Sequence, residues 1–290
     1  MDSTELRALA ERTIREIVMT SPLNSLKGFD EKSWDPPLVG FAAGNDPLFE
    51  SYKELIGDFY WTPNEVMQLA YPDETFDAGQ LSIICWILPQ TERTLSDQRK
   101  ADKLPASRWI HSRHYGEKFN EYLRATVRDT FIRAGIKAAA PVIRSEFGYC
   151  QSHNFGLASN WSERHTAFVS GLGTFGLSDG FITERGKAVR IGSIIIAARI
   201  TPDIRPFNSH TANCLWYAKG TCGACIKRCP INAISAAGHD KKACFDYIRE
   251  ITAPYTETVL GAWATPCGLC QVKIPCERRN PVHACSQKAS

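Results

Sequence analysis

The strongest constraint on this chain is a run of closely spaced cysteines in its C-terminal part. Residues 222–234 read CGACIKRCPINAI, in which three cysteines are separated by two and then three residues and the last is followed by proline. Of the eleven cysteines in 290 residues, all but Cys85 and Cys150 follow residue 213. Cysteines that form the disulfides of a secreted domain are spread along its sequence, whereas this local clustering indicates a metal-binding segment.

The spacing of these cysteines is typical of iron–sulfur proteins. In a bacterial ferredoxin run, three cysteines bind one four-iron cube and the cysteine before proline binds a second. The first cysteine of that run would fall at Lys219, so Cys214 is expected to replace it. Interleaving the later cysteines in the same way predicts two sets of four ligands. The first set is Cys214, Cys222, Cys225 and Cys276, and the second set is Cys229, Cys244, Cys267 and Cys270.

Two alternatives stay open for this segment. Cys276 follows Cys270 by six residues, a longer interval than a compact motif uses, so Cys285 is a rival for the last ligand position. Paired CxxC motifs also suit tetrahedral zinc. The proline after Cys229, followed by Ala233 and Ile234, favours a ferredoxin-like domain, and iron–sulfur clusters are the preferred interpretation.

Charge is unevenly distributed along the chain. Residues 206–290 carry ten Lys and Arg against five Asp and Glu, whereas residues 1–205 carry 24 against 26. The basic surplus would offset the negative charge of thiolate-bound clusters. A nucleic-acid-binding surface is the alternative explanation.

No segment has the pattern of an export signal or a membrane span. The chain opens with MDSTELRALAERTIREIV, which has helical periodicity and a capping box formed by Asp2 and Glu5. The longest apolar runs, 81–88 and 191–200, are too short to cross a bilayer. We therefore expect a soluble, cytoplasmic protein with reduced thiols and no membrane partner.

Hydrophobic periodicity predicts a mixed α/β domain before the cysteine-rich part. Strands are expected at 81–88, 138–144 and 190–200. A helix is expected at 115–134, and its predicted buried stripe consists of Phe119, Tyr122, Leu123, Val127, Phe131 and Ala134. Residues 20–80 are rich in Pro, Gly and aromatic residues and are predicted to form loops and short helices.

A domain boundary is predicted near residue 205. Residues 201–211, TPDIRPFNSHT, have the proline and polar content of a linker, and every clustered cysteine lies beyond them. The predicted domains are therefore residues 1–205 and residues 206–290.

Residues 162–200, SERHTAFVSGLGTFGLSDGFITERGKAVRIGSIIIAARI, resemble the epoxyqueuosine reductase family and the related corrinoid-dependent reductive dehalogenases. In the family pattern an ER pair precedes a GLGxxG turn, an apolar segment and a strand beginning RLGS. The matching residues here are Glu163 with Arg164, Gly171–Gly176, Phe181 with Ile182, and Arg190–Ser193. Segments LSIICWILP, YGEKFNEYLRATVRDTFIRAG and KKACFDYI resemble further parts of the family, so the resemblance runs from about residue 80 to 281.

The resemblance implies a nitroreductase-like cobalamin-binding domain of α/β (α+β) architecture, followed by a two-cluster bacterial ferredoxin-like domain. Electrons from an external donor such as a ferredoxin or flavodoxin would pass through two 4Fe-4S clusters to a corrinoid that reduces an organic substrate. Flavin is the alternative cofactor. An electron-transfer or corrinoid-reactivating protein is the alternative function.

The resemblance also implies which residues contact the cofactor: Gly171, Leu172, Gly173, Thr174, Phe175, Gly176, Arg190, Gly192 and Ser193. Glycines would let the backbone approach a large planar ring closely. A tight turn between a helix and a strand would require the same residues without any ligand.

The proton donor and the substrate are less clear, because the sequence departs from the family here. Family members carry an acid six residues before the ER glutamate, and that position is Leu157 in this chain. A donor must then come from neighbouring residues, and the candidates are Tyr149, His153, Glu163 and His165, with Glu146 nearby. Glu163 and Arg164 could equally form a structural ion pair.

Family members usually continue into a helical repeat domain that helps to hold tRNA, whereas this sequence ends at Ser290, so we expect a small-molecule substrate rather than tRNA.

Overall fold

The computed structural model of the chain describes residues 1–282. Cys285, the rival of Cys276, lies outside them. The α-helices of the described part are α1 Ser3–Thr20, α2 Leu48–Ile56, α3 Pro63–Ala70, α4 Glu92–Lys100, α5 Ser107–Arg133, α6 Glu163–Val169, α7 Leu215–Lys219, α8 Ala224–Arg228, α9 Lys241–Tyr247 and α10 Ala253–Leu260. The strands are β1 Leu38–Ala43, β2 Ser82–Pro89, β3 Ala138–Ala139, β4 Tyr149–Ser152, β5 Gly156–Ser159, β6 Gly173–Phe175, β7 Phe181–Thr183, β8 Val189–Ile196, β9 Ile234–Ser235 and β10 Gly238–His239.

A four-stranded antiparallel sheet in the order β1-β2-β8-β3 forms the centre of the first 200 residues. β2 and β8 pair along their whole lengths, with Ser82 opposite Ile196 and Pro89 opposite Val189. Three smaller antiparallel hairpins, β4–β5, β6–β7 and β9–β10, lie outside this sheet.

Side chains alternate between the two faces of a strand, so the central sheet has two separate cores. On β2, Ile83, Cys85 and Ile87 face one core, which α2, α3 and α6 cover. Ile84, Trp86 and Leu88 face the other core, which α1 and α5 cover. The result is a three-layer mixed α/β arrangement, as the sequence predicts for this part of the chain.

Several predicted elements are confirmed. Asp2 accepts hydrogen bonds from the backbone of Thr4 and Glu5, and Glu5 accepts one from the backbone of Asp2, so α1 begins with the predicted capping box. β2 and β8 occupy the two long apolar runs, although β8 ends at Ile196, four residues before the predicted end. α5 covers the expected helix as far as Arg133 but begins eight residues earlier, at Ser107.

Other predicted details are wrong, each for a physical reason. The strand expected at 138–144 stops at Ala139, because Pro141 has no N–H to continue the ladder and a short 3-10 helix follows it. Within the predicted stripe of α5, Tyr122 is 41% exposed and Ala134 lies beyond the last helical residue. Residues 20–80 contain a full strand, β1, at the edge of the central sheet.

The C-terminal part consists of short helices and the β9–β10 hairpin, packed against the first 200 residues. Gln98 donates to the carbonyl of Cys267 at 2.7 Å, and Tyr247 donates to the carbonyl of Lys103 at 2.6 Å. Arg99 binds the buried carboxylate of Glu277. Among the described residues, no helix is both long and apolar enough to cross a membrane.

Candidate functional site

The first set of predicted cysteines lies around one small cavity. Cys214 precedes α7 and Cys222 precedes α8. Cys225 is the second residue of α8, and Cys276 follows the 3-10 turn Leu269–Gln271. The four residues line the cavity together with Lys187. Its apolar walls include Leu177, Ile182, Trp216 and Ile274.

The second set also comes together. The thiol of Cys267 lies within electrostatic range of those of Cys270, Cys244 and Cys229. Cys244 is placed by α9, while Cys267 and Cys270 flank Gly268, which has φ +65°. A Cβ atom on Gly268 would lie 2.1 Å from the ring of Trp109, so this loop packs directly against α5. The backbone N–H of Ala233 donates to Cys229 Sγ at 3.2 Å.

The chemistry of these thiols fits iron–sulfur clusters. Two groups of four cysteines supply the ligand number that two four-iron cubes require. All ten cysteines in the described residues are free of disulfides. Burial raises the pKa of Cys267 and Cys276 to about 12 and that of Cys244 to about 11, so a bound metal would have to displace their protons. Within residues 1–282, no three His, Cys, Asp or Glu side chains are close enough to hold a single metal ion.

Lys187 is a buried cation that the sequence-based prediction missed. Its residue is 3% exposed and lies in the loop between β7 and β8. Its Nζ donates to Ser178 Oγ and, at 3.3 Å, to the carbonyl of Cys270. Burial alone would lower the pKa of this amine, but the sulfur groups of Cys270, Cys276, Cys225 and Cys214 together outweigh burial and raise it. Its position directly after Gly186, inside the family-like segment, was the available signal.

Two of the nine predicted cofactor contacts border a large groove. Gly171 and Leu172 line it, and its volume is about 840 Å³, near the upper end for small-molecule pockets. The groove lies where α1 and β1 face the C-terminal part. Its polar lining residues are Glu11, Arg15, Glu184, Asn213, Arg279 and Asn280.

The other predicted contacts are engaged within the protein. A Cβ atom on Gly192 would lie 2.5 Å from the ring of Trp86, and one on Gly173 would lie 2.3 Å from the carbonyl oxygen of Ile182. Thr174 accepts a hydrogen bond from the backbone of Asn213. Ser193, Gly176, Phe175 and Arg190 likewise contact neighbouring protein groups. Close packing within the chain therefore accounts for Gly192 and Gly173 without a ligand, and the cofactor contacts stay a prediction.

Glu163 pairs with Arg124 of α5 and not with Arg164. Its carboxylate lies 3.0 Å from Arg124 Nε and accepts a 2.5 Å hydrogen bond from Ser193 Oγ. Arg164 is exposed and donates to the backbone carbonyl of Asp179. Burial raises the pKa of Glu163, and Arg124 only partly opposes this effect.

Arg124 connects two carboxylates to the free edge of the sheet. It is 2% exposed, binds Glu117 at 3.0 Å, and donates at 3.0 Å to the carbonyl of Ile191. β3 pairs only with Ile195 and Ile196 of β8, so the carbonyl of Ile191 has no partner on a neighbouring strand. It accepts hydrogen bonds from side chains instead. Arg190 lies 3.0 Å from Glu117 on the other side.

His165 lies among aromatic rings at the start of α6. Its ring centroid is 4.6 Å from that of Tyr52 and 4.9 Å from that of Phe175, and its Nδ1 is 2.7 Å from Ser162 Oγ. Burial lowers the pKa of His165 to about 3, with Arg164 adding to the effect, so the imidazole is neutral near pH 7.

The remaining candidates lie on the β4–β5 hairpin. Tyr149 is 67% exposed, and His153 is exposed at the turn. Tyr149 lies within electrostatic range of Arg164 and Arg190. Leu157, which stands where the family carries an acid, is 49% exposed on β5. The four proton-donor candidates therefore divide into two groups, His165 with Glu163 on α6 and Tyr149 with His153 on the hairpin.

Comparison with known proteins bears on the fold. No protein-family model and no curated protein matches the sequence. A catabolic reductive dehalogenase solved with 3-bromo-4-hydroxybenzoic acid has a TM-score of 0.52 at 15% identity, covering 97% of this chain and 38% of that chain. A reductive dehalogenase whose structure suggests a mechanism for B12-dependent dehalogenation has a TM-score of 0.50 at 16% identity, covering 87% and 31%.

An epoxyqueuosine reductase from Bacillus subtilis has a TM-score of 0.48 at 15% identity, covering 95% of this chain and 66% of that chain. The chain thus spans less than two thirds of the length of these proteins. The two dehalogenases confirm the resemblance noted in the sequence at the level of the fold, and the chain has the mixed α/β fold of the reductive dehalogenases.

Proposed function

We propose that the chain is an iron–sulfur reductase of the epoxyqueuosine reductase type. Residues 1–205 would bind a corrinoid and the substrate, and residues 206–290 would form a ferredoxin-like domain with two 4Fe-4S clusters. The observation that carries the proposal is that four of the eight cysteines line one shared cavity and that the thiol of Cys267 lies within electrostatic range of the thiols of Cys229, Cys244 and Cys270.

The residues around the first set can protect a cluster from water. Leu177, Ile182 and Ile274 are at most 8% exposed and line the same cavity as the cysteines. An apolar shell of this kind limits solvent access and thereby tunes the potential of a bound centre. Cys229 Sγ in the second set accepts a backbone hydrogen bond, the kind of contact that adjusts cluster potentials.

The 840 Å³ groove is our proposed corrinoid site. Its volume and its mixed lining, with Arg15, Arg279, Glu11 and Glu184 beside Leu38 and Leu172, suit a large ligand that has both apolar and amide surfaces. When bound, a corrinoid supplies the low-potential reduction of an organic substrate that side chains cannot perform. The chain's own part is to hold the ligand, to exclude water and to deliver protons.

Tyr149 is the proton donor that we favour. Its hydroxyl is on an exposed side chain, and Arg164 and Arg190 lie within electrostatic range of it. The carboxylate of Glu163 is already held by Arg124 and Ser193, which favours its structural role. Proton delivery requires a donor within hydrogen-bond reach of the substrate.

We further propose a cytoplasmic setting, an external donor such as a ferredoxin or flavodoxin, and a small organic substrate rather than tRNA. Arg108 is held by Glu31 and Asp97, and Arg278 contacts Glu92 and Asp35. Basic side chains that are paired in this way are less available to bind phosphates.

Anaerobic purification followed by metal, acid-labile sulfide and corrinoid analysis tests the proposal. We expect about eight iron atoms and about eight sulfides per chain, the content of two cubes, and saturable binding of added cobalamin. Stoichiometric zinc without sulfide would contradict the clusters. Clusters with bound flavin and no affinity for cobalamin would contradict the corrinoid.

A further inference from the structure

Lys187 lies between the two cysteine sets. It lines the cavity shared by Cys214, Cys222, Cys225 and Cys276. Its Nζ also donates to the backbone carbonyl of Cys270, which belongs to the second set. Its own backbone N–H donates to the carbonyl of Cys276 at 2.8 Å. One lysine therefore contacts segments from both sets.

The surrounding backbone fixes the position of this side chain. A Cβ atom on Gly180 would lie 2.1 Å from Lys187 Cε, so a glycine at that position makes room for the lysine. Gly186 has φ +87°, and a Cβ there would lie 2.2 Å from the carbonyl oxygen of Glu277. These close approaches hold the lysine against the Cys276 segment and leave it little freedom to move away.

The ammonium group has no carboxylate partner among the described residues. The nearby carboxylate of Glu277 is bound by Arg99 and by the backbone of Lys273. Two of the three ammonium donors have acceptors, Ser178 Oγ and the Cys270 carbonyl. A buried charge without a counter-ion is costly. An anionic group in the adjacent cavity would remove that cost, and thiolate-bound clusters are anionic.

We propose that Lys187 tunes the redox centres by placing a fixed positive charge in the wall of the cavity lined by Cys214, Cys222, Cys225 and Cys276, where it raises the reduction potential of the cluster that these cysteines hold. The inference rests on the proposed function. A one-electron reduction, with the electron supplied by the external donor, adds a negative charge to the cluster. A nearby cation stabilises the reduced form more than the oxidised form. The lysine keeps its proton throughout, and no bond is formed or broken.

The test is an anaerobic redox titration, followed by electron paramagnetic resonance, of the whole protein and of Lys187→Met. Methionine keeps the length of the side chain and removes the charge. We expect one of the two midpoint potentials to fall by at least about 59 mV. For a one-electron couple, this shift changes the oxidised-to-reduced ratio tenfold. The matched control is Lys227→Met, which removes an exposed lysine of α8, also close to the cysteines, and should leave both midpoints unchanged.

Two outcomes would overturn the inference. One is an unchanged pair of midpoints in Lys187→Met with full iron content. The other concerns Gly180→Ala, which is used if Lys187→Met does not assemble clusters. The added methyl group would displace the Lys187 ammonium without removing its charge. Unchanged midpoint potentials in Gly180→Ala would then contradict the inference. A wild-type protein without iron would instead defeat the proposed function, so the two failures are distinguishable.

Discussion

At the scale of single residues, Arg124 is the key charge beneath the central sheet. Arg124 binds Glu117 and Glu163, and burial by itself would raise the pKa of both carboxylates. At Glu117 burial is outweighed by Arg190, Arg124 and Arg113, which together lower the pKa to about 2. At Glu163 burial prevails over Arg124 and Ser193, and the pKa is raised. The two carboxylates that bind Arg124 therefore differ: the protein favours the ionised form of Glu117 and disfavours the ionised form of Glu163.

We expect Glu117→Gln to lower the free energy of unfolding by about 3 kcal/mol at pH 7, because it leaves the buried guanidinium of Arg124 and the half-buried guanidinium of Arg190 short of a counter-charge. The folded pKa of Glu117 lies below the ordinary value of 4.5, so the stabilisation is complete above pH 4.5 and disappears as the pH falls toward about 2. Urea unfolding of both proteins between pH 7 and pH 3 should show their difference shrinking below pH 4.5.

Glu163→Gln is the matched control for this prediction. Its carboxylate has a raised pKa, so its ionised form is costly to bury, and the amide retains a hydrogen bond to Ser193. The loss of stability at pH 7 should be clearly smaller than in Glu117→Gln. A loss as large as that of Glu117→Gln would show that Glu163 provides as much of the ion-pair stability as Glu117 does.

The sequence indicated which residues are structurally important more often than it indicated which residues they contact. Glu163 belongs to the ER pair, but its partner Arg124 lies 39 positions earlier on another helix, and no local pattern connects them. The glycines of GLGTFG are visible in the sequence, yet only packing shows that Gly173 is required by the carbonyl of Ile182. The position of Lys187 directly after Gly186 was visible in the sequence, but its partners were not, since they come from residues 178 and 270.

At the scale of elements, β8 and α5 depend on the absence of a side chain at Gly192. This residue lies opposite Trp86 on β2, and the indole occupies the space where a Cβ would stand. Trp86 also donates to Asn120 Oδ1 of α5 at 2.9 Å. A single glycine therefore permits the contact that joins sheet and helix.

Gly192→Ala should destabilise the protein by about 2 kcal/mol, because the added methyl group overpacks this contact, and it should leave cobalamin binding unchanged. Gly148→Ala is the control, since a Cβ at Gly148 would meet nothing within 4 Å. Thermal unfolding and cobalamin titration measure the two effects. A selective loss of cobalamin binding in a Gly192→Ala protein of normal stability would assign Gly192 to the cofactor site.

Element prediction succeeded where hydrophobic periodicity was long and failed where it was short. β2, β8 and α5 have extended apolar patterns and were found. β1 has only six residues, LVGFAA, and it was hidden among proline and glycine turn signals that in fact mark its two ends. The run 138–144 looked apolar enough for a strand, but Pro141 ends the pairing.

At the scale of the whole molecule, the cysteine-rich part is closely packed against residues of α4 and α5. Gly268, between two ligand candidates, packs on Trp109, and Arg99 binds Glu277 beside Cys276. The sequence predicted the two sets of cysteines from ferredoxin spacing, but it gave no information on this interface, since the contacts join residues 98–109 to residues 267–277. The boundary near residue 205 stays a prediction.

The central claim is that each set of four cysteines holds its own cluster. The most direct measurement is the iron and sulfide content of anaerobically purified Cys222→Ser, Cys267→Ser and the double variant. We predict that each single variant loses about half of the wild-type iron, about four atoms, and that the double variant loses nearly all of it. Single variants that keep the full iron content, or a wild-type protein that contains zinc and no sulfide, would contradict the account.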